Sequence, residues 1–437
     1  MLRSVIKYLL YLYLFLLPWQ MRWIYAPAFL NGGYWEYGTQ SFYGVEFLGW
    51  LIVILFSISL FRQREFWRRV FDKSRFQKQG WGALLGLIAV GGFFVINYLY
   101  SGQLEITYSH FLWILGAICV GVVLIVIGSD NAKVRRFCML ALWGGGVVQG
   151  LFAIWQFFSQ QVVANKWLGL AEHFPWQLGA NVIEVGGERY LRAYGSLGGA
   201  NPLGIYLSAI FVLGLILYLN SSNWRDRILI SAGQIIILVG LFFSFSRGGY
   251  LAAMVGIATL SIFTIWRDKN NWKNLLRQLF YYLLCVLALA FIFWPLLSVR
   301  VNSTGRLEEK SLSDRGVQNK QAVEIFSQNL FLGVGDGNYT VALYQINSKL
   351  LSSDYLPVHN IYLLMLVELG IVGFSFFFIL YFWLFKKIIA NDWRSGAVIL
   401  TIMIAGMFEH WSWSLYPGIA FWWALWTLGL IKTPVDR

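Results

Sequence analysis

The sequence predicts an all-α polytopic membrane protein with about twelve transmembrane helices and a long helical loop between the ninth and tenth. Three observations carry this. Of 437 residues, 58% are hydrophobic and only 13% are charged, too few charges to solvate a soluble surface of that size. The 22 Trp and 23 Tyr suit a protein with two water–lipid interfaces, where amphipathic rings settle at headgroup level. Apolar runs of about 20 residues, the length that crosses the hydrocarbon, recur along the chain. No internal repeat or low-complexity linker separates them. Residues 1–437 therefore read as a single membrane domain, with 298–358 as a large loop within it.

The runs in order are 4–25, 44–61, 81–100, 110–128, 138–158, 200–220, 228–245, 249–266, 278–297, 359–385, 396–411 and 417–431. Arg3 and Lys7 mark the start of the first, and Ala26-Pro27-Ala28 imitates a signal-peptidase site. The remaining spans orient best when this segment stays as a first helix. One set of loops holds Arg62, Arg64, Arg68, Arg69, Lys73, Arg75 and Lys78, then Lys133, Arg135 and Arg136, then Arg225 and Arg227. The same side continues with Arg267, Lys269, Lys273 and Arg277, then Lys386, Lys387 and Arg394, whereas 31–43, 101–109 and 412–416 carry no Lys or Arg. The basic side is cytoplasmic by the positive-inside rule, and both termini fall on it. The net charge of +13 is thus topological rather than a nucleic-acid footprint. Cys119, Cys138 and Cys285 lie in or beside apolar runs without metal-ligand spacing, as small buried hydrophobes do.

Two extracytoplasmic loops break the rule. Residues 159–199 carry Lys166, Arg189 and Arg192, and 298–358 carry Arg300, Arg306, Lys310, Arg315, Lys320 and Lys349. Positive charge that opposes topology points to an external anionic ligand. In the larger loop, Ser313-Asp314-Arg315 is expected to start a short helix, with Val317, Ala322, Val323, Phe326 and Leu330 on its apolar face. Gly333 to Gly337 breaks it, and Tyr339 to Leu351 reads as a second helix. Such a loop packs on the membrane domain as a lid; an ordered but inert loop is the plain alternative.

Arg247 lies in Phe243-Ser244-Phe245-Ser246-Arg247-Gly248-Gly249-Tyr250, where an unpaired guanidinium near the bilayer costs about 2.5–3.5 kcal/mol. Asp226 and Asp268 belong to the cytoplasmic side, so its partner is a loop carboxylate or a ligand. The neighbouring glycines leave room for a phosphate, and the arginine fork suits its oxygens; a snorkelling hairpin arginine is the alternative. Arg192 stands just before Asn201-Pro202, read as N-cap and first turn of the sixth span, and so falls at the same face; an interfacial arginine reads equally well. His359 follows Pro357 where an apolar helix begins. The helix dipole there disfavours imidazolium and leaves a ring able to accept a proton, with Asn360 to orient it; a capping histidine is the equal alternative. His110 and His410, at span ends away from the basic loop, read as structural. No Asp-x-Asp, Walker lysine loop or His-Glu-x-x-His occurs, so no metal or other cofactor is expected. Gly333-x-Gly335-x-Gly337 follows no buried strand and reads as turn glycines.

Ser246-Arg247-Gly248-Gly249, Ser313-Asp314-Arg315, Phe331-Leu332-Gly333-Val334-Gly335-Asp336-Gly337 and His359-Asn360, with the large loop before the tenth span, resemble the O-antigen ligase and polymerase superfamily of membrane glycosyltransferases. The likeness covers about residues 185–385; Gln318-Asn319 departs from it, standing where relatives often carry an aromatic residue. It implies an enzyme of the bacterial inner membrane that acts on an undecaprenyl-diphosphate-linked glycan at the extracytoplasmic face. It further implies a diphosphate held by Arg247 and Arg315 with Arg192 assisting, no metal, and His359 as the base in an inverting transfer. The acceptor, whether glycan, lipid-A-core or protein, stays open. Two other readings remain. One is a transporter of an anion such as bicarbonate or of a lipid-linked glycan, although the polar residues gather at one face rather than the midplane. The other keeps the enzyme but makes Glu36, the only acid of the first outer loop, its base.

Overall fold

Among residues 2–61, 95–129 and 131–431, which the computed structural model describes, the chain is nearly all helix. Helices α1 (Leu2–Leu16) and α2 (Gly44–Phe61) flank two antiparallel hairpins, β1 (Arg22–Ala26) with β4 (Gln40–Tyr43) and β2 (Phe29–Leu30) with β3 (Gly33–Tyr34). Next come α3 (Leu104–Ser129), α4 (Ala132–Ser159) and the hairpin of β5 (Val182–Val185) and β6 (Glu188–Leu191). Four long helices follow: α5 (Ala200–Leu219), α6 (Trp224–Ser244), α7 (Arg247–Arg267) and α8 (Trp272–Ile292). The large loop carries α9 (Trp294–Asn302), α10 (Arg306–Gln328) and α11 (Tyr339–Ile346). The chain ends with α12 (Ile361–Asn391), α13 (Trp393–Gly406), α14 (Trp411–Ser414) and α15 (Tyr416–Leu430).

Eight of the described helices, α2 to α8 and α12, are long and apolar enough to cross a membrane. Most of the expected 81–100 span and the basic loop 62–78 lie outside the described residues, although 95–100 are helical. The first expected span, 4–25, is shorter than read: α1 stops at Leu16 and the chain enters the β1 strand by Arg22. Pro18, which cannot continue a helix, stands between them. Of the last two, 396–411 becomes the 14 residues of α13, while 417–431 keeps its length as the 15 residues of α15. These rise about 21–23 Å, short of a hydrocarbon core about 30 Å thick. In the loop, α10 starts at Arg306, so Ser313-Asp314-Arg315 lies within the helix rather than at its start.

Helix α5 is apolar around its whole circumference and almost wholly buried, as a helix enclosed on every side must be. It packs against α4, α6, α7 and α13. Its contact with α7 is close: a Cβ on Gly249 would lie 2.8 Å from the backbone of Gly204, the small-residue packing that lets helices approach in a membrane. By contrast α8 turns Leu276, Phe280, Leu283, Leu287 and Phe291 outward, the side chains that suit lipid.

The segments 17–43, 159–199 and 298–360 meet on one face, called here the loop face. Arg306 bonds Glu184 at 2.9 Å, and Asn31 donates to the carbonyls of Ser348 and Leu350 at 2.8 Å each. At the opposite end Arg135 holds Asp392 at 2.6 Å and Arg136 holds Asp226 at 2.7 Å, and Arg394 pairs with Asp268. The two aspartates near Arg247 in sequence are therefore engaged on the far side.

Helix α12 is broken at Gly370, whose φ of 63° and ψ of −176° leave the helical region. The break frees carbonyls, and the glycine cluster takes them up: Val334 N donates to Val367 O and Gly335 N to Glu368 O, both at 3.0 Å. Ile371 N returns a bond to Leu330 O at 2.9 Å. Gly333 makes this approach possible, since a Cβ there would stand 2.4 Å from Glu368 O at a φ of 71°. Non-helical backbone inside a membrane helix persists only when its polar groups are satisfied in this way. Below the cluster, buried His110 approaches Asp336 at 2.8 Å and the Trp413 carbonyl at 2.6 Å. Trp413 in turn donates to Glu368 at 2.7 Å.

Candidate active site

The turn between α6 and α7 builds the centre of the site. A helix C-terminus leaves carbonyls unpaired, and cations are favoured there by the dipole. Ser244 O accepts from Arg192 Nε at 2.9 Å. Phe245 O, with its residue at a φ of 46°, accepts from Arg300 Nε at 3.1 Å and from a terminal nitrogen at 2.9 Å. Two guanidiniums are thus pinned side by side by main-chain oxygens. Arg192 is further held by Asn201 Oδ1 at 2.7 Å. That is a correction to the expected cap: α5 begins at Ala200, its N-cap is Gly199, and Asn201 serves the arginine instead. Burial, with Arg300 adding its repulsion, pushes the Arg192 pKa down to about 9, which leaves it charged at neutral pH.

Arg247 opens α7, where Ser246 caps the helix through Gly249 N. Its guanidinium, 30% exposed, reaches Ser303 Oγ at 2.6 Å and Glu308 at 3.4 Å. Glu308, in the first turn of α10 and 3% exposed, also takes Arg300 at 2.5 and 2.6 Å. The partner of Arg247 is therefore a loop carboxylate. Gly248 and Gly249 are filled by packing against Phe408 and Gly204, so these glycines seat helices and leave no space for a phosphate at their Cα atoms.

Midway along α10, Arg315 is half-buried and has no hydrogen bond or ion pair among the described residues. Burial lowers its pKa, opposed by Glu409 and Glu308 and assisted by Arg300. A buried cation without a fixed partner is a ready seat for an anion. Arg192, Arg247, Arg300 and Arg315, against Glu308, leave an excess of three positive charges.

His359 lies just ahead of α12. Asn360 is the N-cap, accepting from Tyr362 N at 3.0 Å and Leu363 N at 3.2 Å, so it is committed to the helix. The ring is oriented by Gln318 instead, whose Oε1 sits 2.9 Å from Nδ1; with Nδ1 as donor, Nε2 carries the lone pair. Gln318, on α10, thus holds the histidine through its amide.

Sequence reasoning passed over Glu409 and read His410 as structural. The ring of His410 stands against that of His359, centroids 5.2 Å apart, and ligand atoms of His359, Glu409 and His410 lie within 4.8 Å of one another. His410 Nδ1 meets Ser414 Oγ at 3.0 Å, and Nε2 is 3.4 Å from Glu409. Burial drives the His410 pKa down to about 4 and Glu409 resists this. Burial raises the carboxyl of Glu409, but His359, His410 and Arg315 together hold it below its ordinary value. The trio has the ligand types of a zinc site as well as those of a proton relay. The signal was an acid and a histidine inside a supposed span 396–411, where ionisable groups are costly. Glu36, the other base considered, is gripped by Arg22 at 2.6 and 2.9 Å.

Fold and site define a polytopic helical membrane protein with a cluster of arginines near a histidine on one face. Residues 232–378 match the family model described as O-antigen ligase. The match spans about a third of the chain and supports a place in the O-antigen ligase and polymerase superfamily of glycan-transferring membrane enzymes. The matched segment contains Arg247, Arg315 and His359, and leaves Arg192, Glu409 and His410 outside. No curated protein matches the chain.

Proposed function

We propose that the chain transfers a glycan from an undecaprenyl-diphosphate carrier to an acceptor hydroxyl, as a ligase or polymerase of surface polysaccharide. The loop face is then extracytoplasmic in a bacterial inner membrane, with both termini cytoplasmic. The observation that carries this reading is the unpaired Arg315 between the Arg247–Arg300–Glu308 cluster and the Glu409–His359 pair.

The diphosphate lies against Arg247 and Arg315, with Arg192 and Arg300 fixed behind them. His359 Nε2 takes the proton of the acceptor hydroxyl as its oxygen attacks the anomeric carbon. The anomeric C–O bond to the carrier breaks with inversion, and undecaprenyl diphosphate leaves with the electron pair. Guanidiniums already in place stabilise the charge that builds on it, and Glu409 balances the imidazolium.

Arg247→Ala, Arg315→Ala and His359→Ala in folded protein should each abolish transfer from the lipid-linked donor; turnover at the wild-type rate would refute the assignment. The ligand trio favours a second reading, a divalent cation in place of the base. Turnover that survives chelator treatment supports the base; turnover lost to chelator and restored by zinc supports the cation. Deleting the gene separates the acceptors: polymer left on its lipid marks a ligase, single repeats a polymerase. Among the described residues, the broken α12 with buried His110, Asp336 and Glu368 favours transport, and anion uptake into donor-free liposomes would support that instead.

A further inference from the structure

A cleft on the loop face runs between the β1–β4 hairpin, α3, α11 and α14. Its rim passes Pro357, two residues from His359, and Ser414, which holds His410. Tyr37 also lines it and meets the His410 ring edge-on at 5.7 Å. The cleft thus comes within two residues of His359, and neither that ring nor any of the four clustered arginines lines it.

Its walls combine aromatic faces with neutral hydroxyls, and deeper in lie His110 and Glu368, already engaged by Asp336 and Trp413. Tyr43, Trp113 and Tyr339 offer rings, the faces on which sugar C–H groups pack. Ser41 and Thr340, only 5% and 1% exposed, also line it, and their hydroxyls have no hydrogen-bond partner among the described residues. Buried hydroxyls are ordinarily paired. At the mouth, Arg22 and Glu36 form a fixed, partly exposed ion pair, a donor and acceptor side by side. Aromatic faces with neutral hydroxyls and a charge-balanced rim suit a polyhydroxylated, uncharged ligand and do not suit a diphosphate.

We propose that this cleft seats a sugar ring of the acceptor glycan, delivering its hydroxyl to His359 from the side opposite the arginines. Ser41 and Thr340 would be its buried hydrogen-bond partners. This rests on the transferase reading. It also gives Glu36 a place, as a rim group that shapes the acceptor site rather than as the base.

The test uses the full chain in detergent with free glucose, galactose and N-acetylglucosamine as probes, read by saturation-transfer NMR. At least one sugar should receive saturation from the wild type, and Ser41→Ala/Thr340→Val with unchanged Tm should weaken that signal about tenfold, the loss of two modest hydrogen bonds. His359→Ala should keep the signal while losing transfer. In turnover with the native lipid-linked fraction, the double variant should raise KM for acceptor about tenfold and leave KM for donor unchanged. A signal indifferent to the double variant, or no signal from any sugar, overturns the cleft assignment. A raised donor KM instead would mean that the cleft holds the donor's sugar, and would overturn it too. Full transfer by His359→Ala would overturn the transferase mechanism, and the sugar contacts would be unaffected by that result.

Discussion

Glu308→Gln keeps the shape of a side chain that is 3% exposed and removes a carboxylate within ion-pair reach of both Arg300 and Arg247. Breaking a buried pair costs ~3–5 kcal/mol because the survivor is left charged and unpaired. Arg300 keeps both contacts to Phe245 O and Arg247 is 30% exposed, so the lower end, about 3 kcal/mol, applies. Unfolding entropy of about 2.1 cal/mol/K per residue gives about 0.9 kcal/mol/K over 437 residues. The loss should therefore appear as a Tm lower by about 3 °C in detergent. The assay has a second arm. With one anion gone, the cluster is short of counter-charge, so added undecaprenyl diphosphate should raise Tm more in the variant than in the wild type, as a ligand specific to the folded state does. An unchanged Tm together with equal shifts by the lipid would refute both the buried pairing and the diphosphate seat.

Gln318→Leu frees the His359 ring and should lower kcat about tenfold or more at unchanged Tm, since misplaced catalytic groups are costly; full activity would remove Gln318 from its orienting role. Gly333→Ala places a methyl 2.4 Å from Glu368 O at a positive φ. At ~1–2 kcal/mol for the backbone alone, thermal melts should show a clear loss of stability. Acidification should also destabilise the loop face. His410, neutral in the fold until about pH 4, takes up its proton near pH 6.5 when unfolded, so its contribution is complete above 6.5 and falls away toward 4, by about 3 kcal/mol in all. The depressed carboxyl of Glu409 adds a loss confined to pH below the usual carboxylate range. Melting curves between pH 7 and pH 4.5 should thus be steeper for wild type than for His410→Asn; parallel curves would contradict the burial of His410.

Much of this was legible in the sequence, because hydropathy and charge are local properties. Eight spans, the two cationic loops, and the placing of Arg192, Arg247 and Arg315 on one side followed from them. The partners did not. Glu308, Gln318 and Glu409 are 61, 41 and 50 residues from Arg247, His359 and His359 in turn, and only tertiary packing joins them. Local rules also misassigned Asn360 and Asn201: each is an asparagine at a helix start, but one caps and the other serves Arg192. The break at Gly370 was invisible because Glu368-Leu369-Gly370-Ile371 sits in an apolar run, and its cause is the glycine loop that docks there.

Arg192 and Arg300 are gripped by the peptide oxygens of positions 244 and 245, and this has a consequence for how the protein tolerates change. No exchange of side chain at those two positions deletes the acceptors, so point variation there leaves the cationic pair in place provided the turn keeps its path. One residue added or removed between 243 and 247 would instead swing both oxygens about the helix axis and scatter the arginines together. The vulnerability of this protein lies in the length of that turn rather than in its spelling.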